Sequence, residues 1–326
     1  MIDVFNLALP FFGLIALGYA AGRIAGLPDS GLAWMNAFLI YVSLPCLFYR
    51  VLAQTPFEQL NNLPFVAGTT LATAIVFALA FAVGLMIRRG NMAEAAIVGV
   101  AGAYGNVGYM GPGLALATLG PAAAPAVALI FCFDSTLAFV LVPLLMAAAG
   151  TGKARGAGAV ALQIARQIMF HPFLIAVALG ILSAALHVRL PAALDQLMQY
   201  LQNAAAPCAL FTLGVTVALR PVKSMPWEVP PAIAIKLVAH PAVVLVLLSL
   251  IALATGAPFS RTWVYTAVLM AALPTALNVF IMARQYDTWV EQASGCVLFG
   301  TAASVVTLVT VMWLVQNGAL PAQLFR

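Results

Sequence analysis

Gly102-Ala103-Tyr104-Gly105-Asn106-Val107-Gly108-Tyr109-Met110-Gly111-Pro112-Gly113 decides how the rest of the chain is read. Five glycines and a proline in twelve residues do not sustain a regular helix. Proline removes a backbone donor and clashes with the preceding turn, and each glycine costs about 1 kcal/mol relative to alanine. Yet the stretch lies inside a long apolar run, 93–118. Within hydrocarbon, an interrupted backbone is tolerated only where protein or a wet cavity satisfies its freed groups. A second interruption, Ala272-Leu273-Pro274-Thr275-Ala276-Leu277-Asn278-Val279, falls in the apolar run 262–284.

The composition around these stretches excludes the water-soluble classes. Of 326 residues, 64% are hydrophobic and 7% charged, against about 45–50% and about 25% in soluble domains. Fourteen basic and nine acidic residues leave a net charge of +5 with no basic patch, so nucleic acid is not an expected partner. A hydrocarbon layer of about 30 Å needs roughly 20 apolar residues per helix. Runs of that kind are read at 4–24, 31–52, 63–87, 93–118, 122–149, 168–187, 192–219, 230–254, 262–284 and 289–315. The expected fold is therefore an all-α polytopic membrane protein of ten transmembrane helices joined by short loops. The first run has no basic n-region and no clean cleavage site, so it is read as a retained helix. The longest connection, 150–166, is Gly- and Ala-rich and reads as the joint between two halves. Cys46, Cys132, Cys208 and Cys296 sit inside apolar runs without metal-ligand spacing and read as buried free thiols.

Orientation follows the positive charges. With the N-terminus outside, nine basic residues fall on the cytoplasmic side: Arg23, Arg88, Arg89, Lys153, Arg155, Arg166, Arg220, Lys223 and Arg284. Four, Arg50, Arg189, Arg261 and Arg326, fall outside. Both termini are thus expected to be periplasmic or extracellular. Sliding the chain by 162 positions places Pro10-Phe11 on Pro172-Phe173, Ala16-Leu17-Gly18 on Ala178-Leu179-Gly180, and Pro45-Cys46 on Pro207-Cys208. With a small insertion, Asn106-Val107 corresponds to Asn278-Val279. Two halves of five spans each must lie in opposite orientations, which makes an inverted repeat with equivalent breaks in spans four and nine.

Such a pair of breaks favours an anion. Half-helices that start near mid-membrane aim positive dipole ends and unpaired N–H groups into one cavity. Asn106 and Asn278 would add amide donors without a buried formal charge, or else cap the backbone locally. Pro112, Pro274, Thr275, Tyr109 and Tyr104 are expected beside them.

These same residues carry a family resemblance. Gly105-Asn106-Val107-Gly108-Tyr109-Met110-Gly111-Pro112 resembles the fourth-helix motif of the auxin efflux carrier family. The segment from Leu273-Pro274-Thr275 through Leu277-Asn278-Val279 to Arg284-Gln285-Tyr286 is similar to its ninth-helix motif, and Pro207-Cys208-Ala209-Leu210-Phe211-Thr212-Leu213-Gly214 to its seventh helix. His171 stands before Pro172 where the family pattern has asparagine. The resemblance implies a fold related to bile-acid and sodium/proton transporters. A scaffold domain, 1–62 and 164–228, would hold a transport domain, 63–163 and 229–326. It also implies elevator-type alternating access, a homodimer in the bacterial inner membrane, and a malonate- or malate-type carboxylate as substrate.

Ionisable groups inside spans are expensive unless paired or wet. Lys236 and His240 lie four apart and share a helix face. Lys236 either attracts a second carboxylate of the substrate or snorkels to the interface, and His240 before Pro241 either joins it or caps a kink. Asp134 with Ser135 either binds a coupling proton or sodium ion for symport, or pairs with Lys236 or Arg284. No resident cofactor is expected. An intramembrane enzyme would need clustered carboxylates or a catalytic set, and neither appears in the sequence. The leading expectation is a secondary active transporter of a small organic anion, with a non-transporting sensor or an anion channel of the same fold as the alternative.

Overall fold

Proline, glycine and a few polar caps set where the helices of this chain stop. A computed structural model describes residues 2–26, 31–151, 156–219 and 225–325. Helix α1 spans Ile2–Ala25, α2 Leu32–Ala53 and α3 Leu63–Ile87. The next apolar run is split into α4 (Met92–Ala103) and α5 (Gly111–Leu119). Then come α6 (Ala124–Ala148), α7 (Ala157–Met169), α8 (Pro172–Ala185) and α9 (Ala192–Ala218). After α10 (Val229–Thr255), a second split run gives α11 (Arg261–Ala271) and α12 (Leu277–Gln285), and α13 (Val290–Gln316) closes the order. Six described segments are long and apolar enough to cross a membrane: Leu32–Ala53, Phe57–Ile87, Pro121–Ala148, Ala192–Ala218, Val229–Thr255 and Val290–Gln316. Among the described residues there is no strand, only an isolated bridge. The protein is an all-helical, multi-pass membrane protein.

Two expectations from the sequence need adjusting. The Gly- and Ala-rich connection is largely helical, since α7 starts at Ala157, buries Val160 and is tied by Gln163 to the Tyr286 hydroxyl (3.4 Å). The run read at 168–187 begins instead at Pro172, because proline removes a donor and forces His171 to an extended conformation (φ −74°, ψ 120°). The charges expected on Lys153, Arg155, Arg220, Lys223 and Arg326 lie outside the described residues. None of the four cysteines forms a disulfide; Cys296 is buried and the other three are half-buried.

The chain divides into two compact units. The first comprises Met1–Asn62, Gly108–Cys132 and Phe170–Pro221, and the second Leu63–Val107, Phe133–Met169 and Val222–Arg326. Glycine sets the packing of the first. A methyl group on Gly18 of α1 would lie 2.1 Å from the Phe211 carbonyl oxygen of α9, and one on Gly214 of α9 would lie 2.0 Å from the Ile15 carbonyl oxygen. Only a bare Cα lets the two backbones come that close. Gly180 of α8 meets the Tyr49 carbonyl oxygen of α2 in the same manner, at 2.9 Å. Gly18 and Gly180 stand 162 residues apart, and so do their respective neighbours' equivalents, Tyr49 and Phe211. Arg50, in α2, is 7% exposed; it donates to both Asp195 oxygens (2.9 and 3.0 Å) and to Gln202 (2.8 Å). Folding joins Arg50 and Asp195 across 145 positions.

In the second unit α3 packs on α4, where a methyl on Gly84 would lie 2.9 Å from the Ala95 Cα. Asn91 caps α4 by accepting from the Glu94 N–H (3.2 Å), and Ser260 caps α11 through the Trp263 N–H (3.4 Å). Arg88, just past α3, donates to Glu94 and to Glu228, tying three helix ends. The hydrogen bond to Glu94 holds the Arg88 guanidinium above its ordinary value against the opposing effect of burial, with Glu228 adding to it. Helices α2 and α10 each contain a five-residue π-turn, Leu39–Ser43 and Ile235–Ala239. Each ends two residues before a proline, Pro45 or Pro241, whose missing N–H and bulky ring widen the turn ahead of it.

Two outcomes test this packing. Gly214→Leu should cost at least about 2 kcal/mol by overpacking, seen as a lower melting temperature in detergent; an unchanged value would mean α1 and α9 do not touch. Arg88→Ala should lower the melting temperature by several degrees because Glu228 is left buried without its cation, and Arg88→Ala with Glu228→Gln should recover part of the loss.

Candidate functional site

The two interrupted runs meet. Tyr104 leaves α4 in an extended conformation (φ −88°, ψ 105°), and Ala276 is extended as it leads into α12 (φ −69°, ψ 146°). Between them Gly105 and Thr275 form an antiparallel bridge. The Asn106 N–H donates to the Pro274 carbonyl (2.8 Å), and the Ala276 N–H donates to the Tyr104 carbonyl (3.1 Å). The Thr275 hydroxyl donates to the Ala101 carbonyl (2.9 Å) in the last turn of α4. Each break thus satisfies the backbone groups that the other has freed, which is what an apolar interior demands.

Side chains extend the crossing. Asn106 and Thr275 are buried and Asn278 is half-buried. Tyr104 hydrogen-bonds through its hydroxyl to the Ser135 hydroxyl (2.9 Å) and to the Asn278 side chain. Asn278 therefore stands in the first turn of α12 and is held from α4, while Ala276 occupies the N-cap. Lys236 is fully buried, donates to the Ala271 carbonyl at the end of α11, and lies 3.1 Å from Nδ1 of His240. An ammonium at a helix C-terminus is favoured by the helix dipole. A Cβ on Gly105 would sit 3.1 Å from the Lys236 Nζ, so the bridge glycine leaves room for the lysine.

A family model described as membrane transport protein matches residues 3–168 and 153–312 of this chain. The chain belongs to the auxin efflux carrier family. It is 48% identical over 325 residues, the full length of both chains, to a protein of Rhizobium meliloti (strain 1021) named "Putative malonate transporter". An "Uncharacterized transporter" of Methanothermobacter thermautotrophicus is 24% identical over 298 residues, covering 90% of this chain and 93% of its own. The protein is a membrane transporter, and the transporter names of its relatives agree with a non-enzymatic role.

In this carrier Asn106, Pro274, Thr275 and Asn278 come together at the crossing, with Ser135 joined to it through Tyr104. Tyr109 and Pro112 belong to the first unit, both buried, with Pro112 in the opening turn of α5. Asp134 accepts a hydrogen bond from the Thr73 hydroxyl (2.9 Å), and Thr73 is 3.2 Å from Nε2 of His240. Thr73 is the residue that sequence reasoning missed. Its signal was faint: three threonines, Thr69, Thr70 and Thr73, in an otherwise apolar run, with Thr69 and Thr73 four apart on one face. Open hollows of about 330 Å³ beside Arg50 and Arg189, and of about 370 Å³ beside Arg261 and Gln323, share no residue with the crossing.

Thr275→Val removes the hydroxyl that holds the Ala101 carbonyl and leaves that buried acceptor unpaired. Thermal unfolding of the purified variant should show a loss of about 1–2 kcal/mol, while Thr275→Ser should retain most of the stability.

Proposed function

We propose that this protein is a secondary active transporter that carries a small organic anion, a mono- or dicarboxylate such as malonate or malate, across the bacterial inner membrane. The observation that carries this reading is the bridge between Gly105 and Thr275. A hydrogen-bonded meeting of two broken apolar helices gives up backbone pairing that an unbroken pair would keep, and this supports a ligand site at the break. The amides of Asn106 and Asn278 and the positive end of α12 supply donors for a carboxylate. Pro274 and Thr275 hold the second break, and Tyr109 and Pro112 complete the motif of the first. Lys236 supplies positive charge behind the crossing for a second carboxylate. Asp134 and Ser135 serve the coupling ion. The full-length likeness to a relative named for malonate supports the substrate class.

In this reading ten helices form two inverted halves. The offset of 162 shared by Gly18 with Gly180 and by Tyr49 with Phe211 supports that symmetry, since each glycine meets the counterpart of the other's neighbour. The scaffold domain comprises 1–62 and 164–228 and the transport domain 63–163 and 229–326, moving as an elevator within a homodimer. The compact units share the division at Asn62 and Leu63 and assign Gly108–Cys132 to the first. Both termini face the periplasm in this reading, which the distribution of basic residues supports.

Proteoliposome uptake of radiolabelled malonate tests the site. Asn106→Ala and Asn278→Ala should each abolish uptake while the protein elutes as the same folded species in detergent. Wild-type uptake in both variants would remove the crossing as the binding site.

A further inference from the structure

Four buried side chains in the second unit form one unbroken line of hydrogen bonds, and the proposed binding role of the crossing leaves most of it unused. From the crossing outward, Lys236 Nζ lies 3.1 Å from His240 Nδ1, His240 Nε2 lies 3.2 Å from Thr73 Oγ1, and Thr73 Oγ1 lies 2.9 Å from Asp134 Oδ1. All four residues are at most 4% exposed. Three helices contribute: α3 carries Thr73, α6 carries Asp134, and α10 carries Lys236 and His240 on consecutive turns. The π-turn Ile235–Ala239 holds Lys236, so its widened ring separates the lysine from His240.

The line has a direction and can be reversed. With Lys236 as ammonium and Asp134 as carboxylate, Lys236 donates to His240 Nδ1, the Nε2–H of His240 donates to Thr73, and Thr73 donates to Asp134. Transfer proceeds by Lys236 releasing a proton to Nδ1, His240 releasing its Nε2 proton to the Thr73 oxygen, and Thr73 releasing its own proton to Oδ1 of Asp134. Three N–H or O–H bonds break and three form. The products are a neutral amine, the other tautomer of His240, an intact hydroxyl turned toward Nε2, and a carboxylic acid. Nothing is oxidised, net charge is conserved, and every link remains hydrogen-bonded in both states. Among the described residues, the groups facing the line include Tyr104, just past α4, beside Ser135, the Ala271 carbonyl that holds Lys236, and the Thr69 carbonyl 3.2 Å from Thr73 Oγ1. The Lys236 and Asp134 ends are near enough for their charges to attract.

We propose that Asp134, Thr73, His240 and Lys236 are a proton wire, and that the ion coupled to anion transport by this protein is a proton loaded at Asp134. This inference rests on the crossing being the anion site. An anion there favours the ammonium form of Lys236, which returns the line to the state with a bare Asp134 carboxylate. One proton taken up at Asp134 then leaves a net positive charge beside the anion and offsets part of the cost of carrying it through low dielectric. Sodium fits the line poorly. A hard cation needs an oxygen cage, whereas two of the three links end on nitrogen and the carbonyl at the end of α11 is already held by a tethered ammonium.

The test uses the full chain in proteoliposomes that enclose a pH-sensitive dye, with the membrane potential clamped and radiolabelled malonate as the probe. Wild-type protein should acidify the lumen in step with malonate entry, without sodium. Thr73→Val keeps the shape of the side chain but interrupts the wire. Malonate binding by calorimetry should persist, proton-coupled uptake should fall by roughly tenfold or more, an added barrier of at least about 1.4 kcal/mol, and Thr73→Ser should restore it. A Thr73→Val protein that moves protons with malonate at the wild-type ratio overturns the wire. Wild-type malonate uptake that is driven by sodium, or that moves no proton, overturns the inference while leaving the anion site intact. Failure of the wild-type protein to bind malonate overturns the anion-site reading and the inference with it.

Discussion

An apolar interior offers a backbone amide no water, so every N–H and C=O freed inside it must find a partner in the protein. That requirement governs the centre of this carrier. Helices α4 and α11 both stop short of a full span, at Ala103 and Ala271, and the chain resumes helically only at Gly111 and Leu277. Interrupted segments of that kind are tolerable because the Gly105–Thr275 bridge and the flanking Asn106–Pro274 and Tyr104–Ala276 hydrogen bonds pair them. Other features of the site follow from the pairing. Thr275 reaches back to the Ala101 carbonyl, Lys236 takes the carbonyl at the end of α11, and Tyr104 reaches Asn278.

The same scarcity of water shapes how charge is stored. Arg50 is buried against a bidentate carboxylate and an amide, and Arg88 is shared between two carboxylates at a junction of helix ends. Both arrangements are structural, and both sit near the ends of spans, where the desolvation penalty is smaller. At the centre, by contrast, Lys236 and Asp134 are separated by a histidine and a threonine instead of being paired directly. A direct ion pair would fix both charges. An intervening chain of groups that both donate and accept allows the charges to be made and unmade without leaving any group bare.

Helix packing rests on a different economy. Lipid tails are as apolar as leucine, so association depends on close approach and van der Waals contact. Glycines at 18, 214 and 180 supply that approach in the first unit, and Gly84 does so between α3 and α4. Large side chains are left to face outward, as Trp34, Leu162 and Val306 do.

The sequence by itself determined that the chain is a helical membrane protein and where two of its helices break. Those properties are local: hydropathy over about 20 residues, and the intrinsic inability of clustered glycine and proline to continue a helix. The family followed for the same reason, because its motifs are the break residues themselves. Helix α7 escaped notice because short Gly- and Ala-rich segments read as linkers, and what holds this one, Val160 and the Gln163–Tyr286 contact, comes from elsewhere in the chain. Tertiary structure alone decided which groups would be neighbours. Asp195 for Arg50, Glu228 for Arg88, and Thr73 between Asp134 and His240 are pairings across 60 to 170 positions. No local pattern encodes them, since a hydroxyl or a charge in an apolar run looks the same whether its partner is a neighbouring helix or its own backbone.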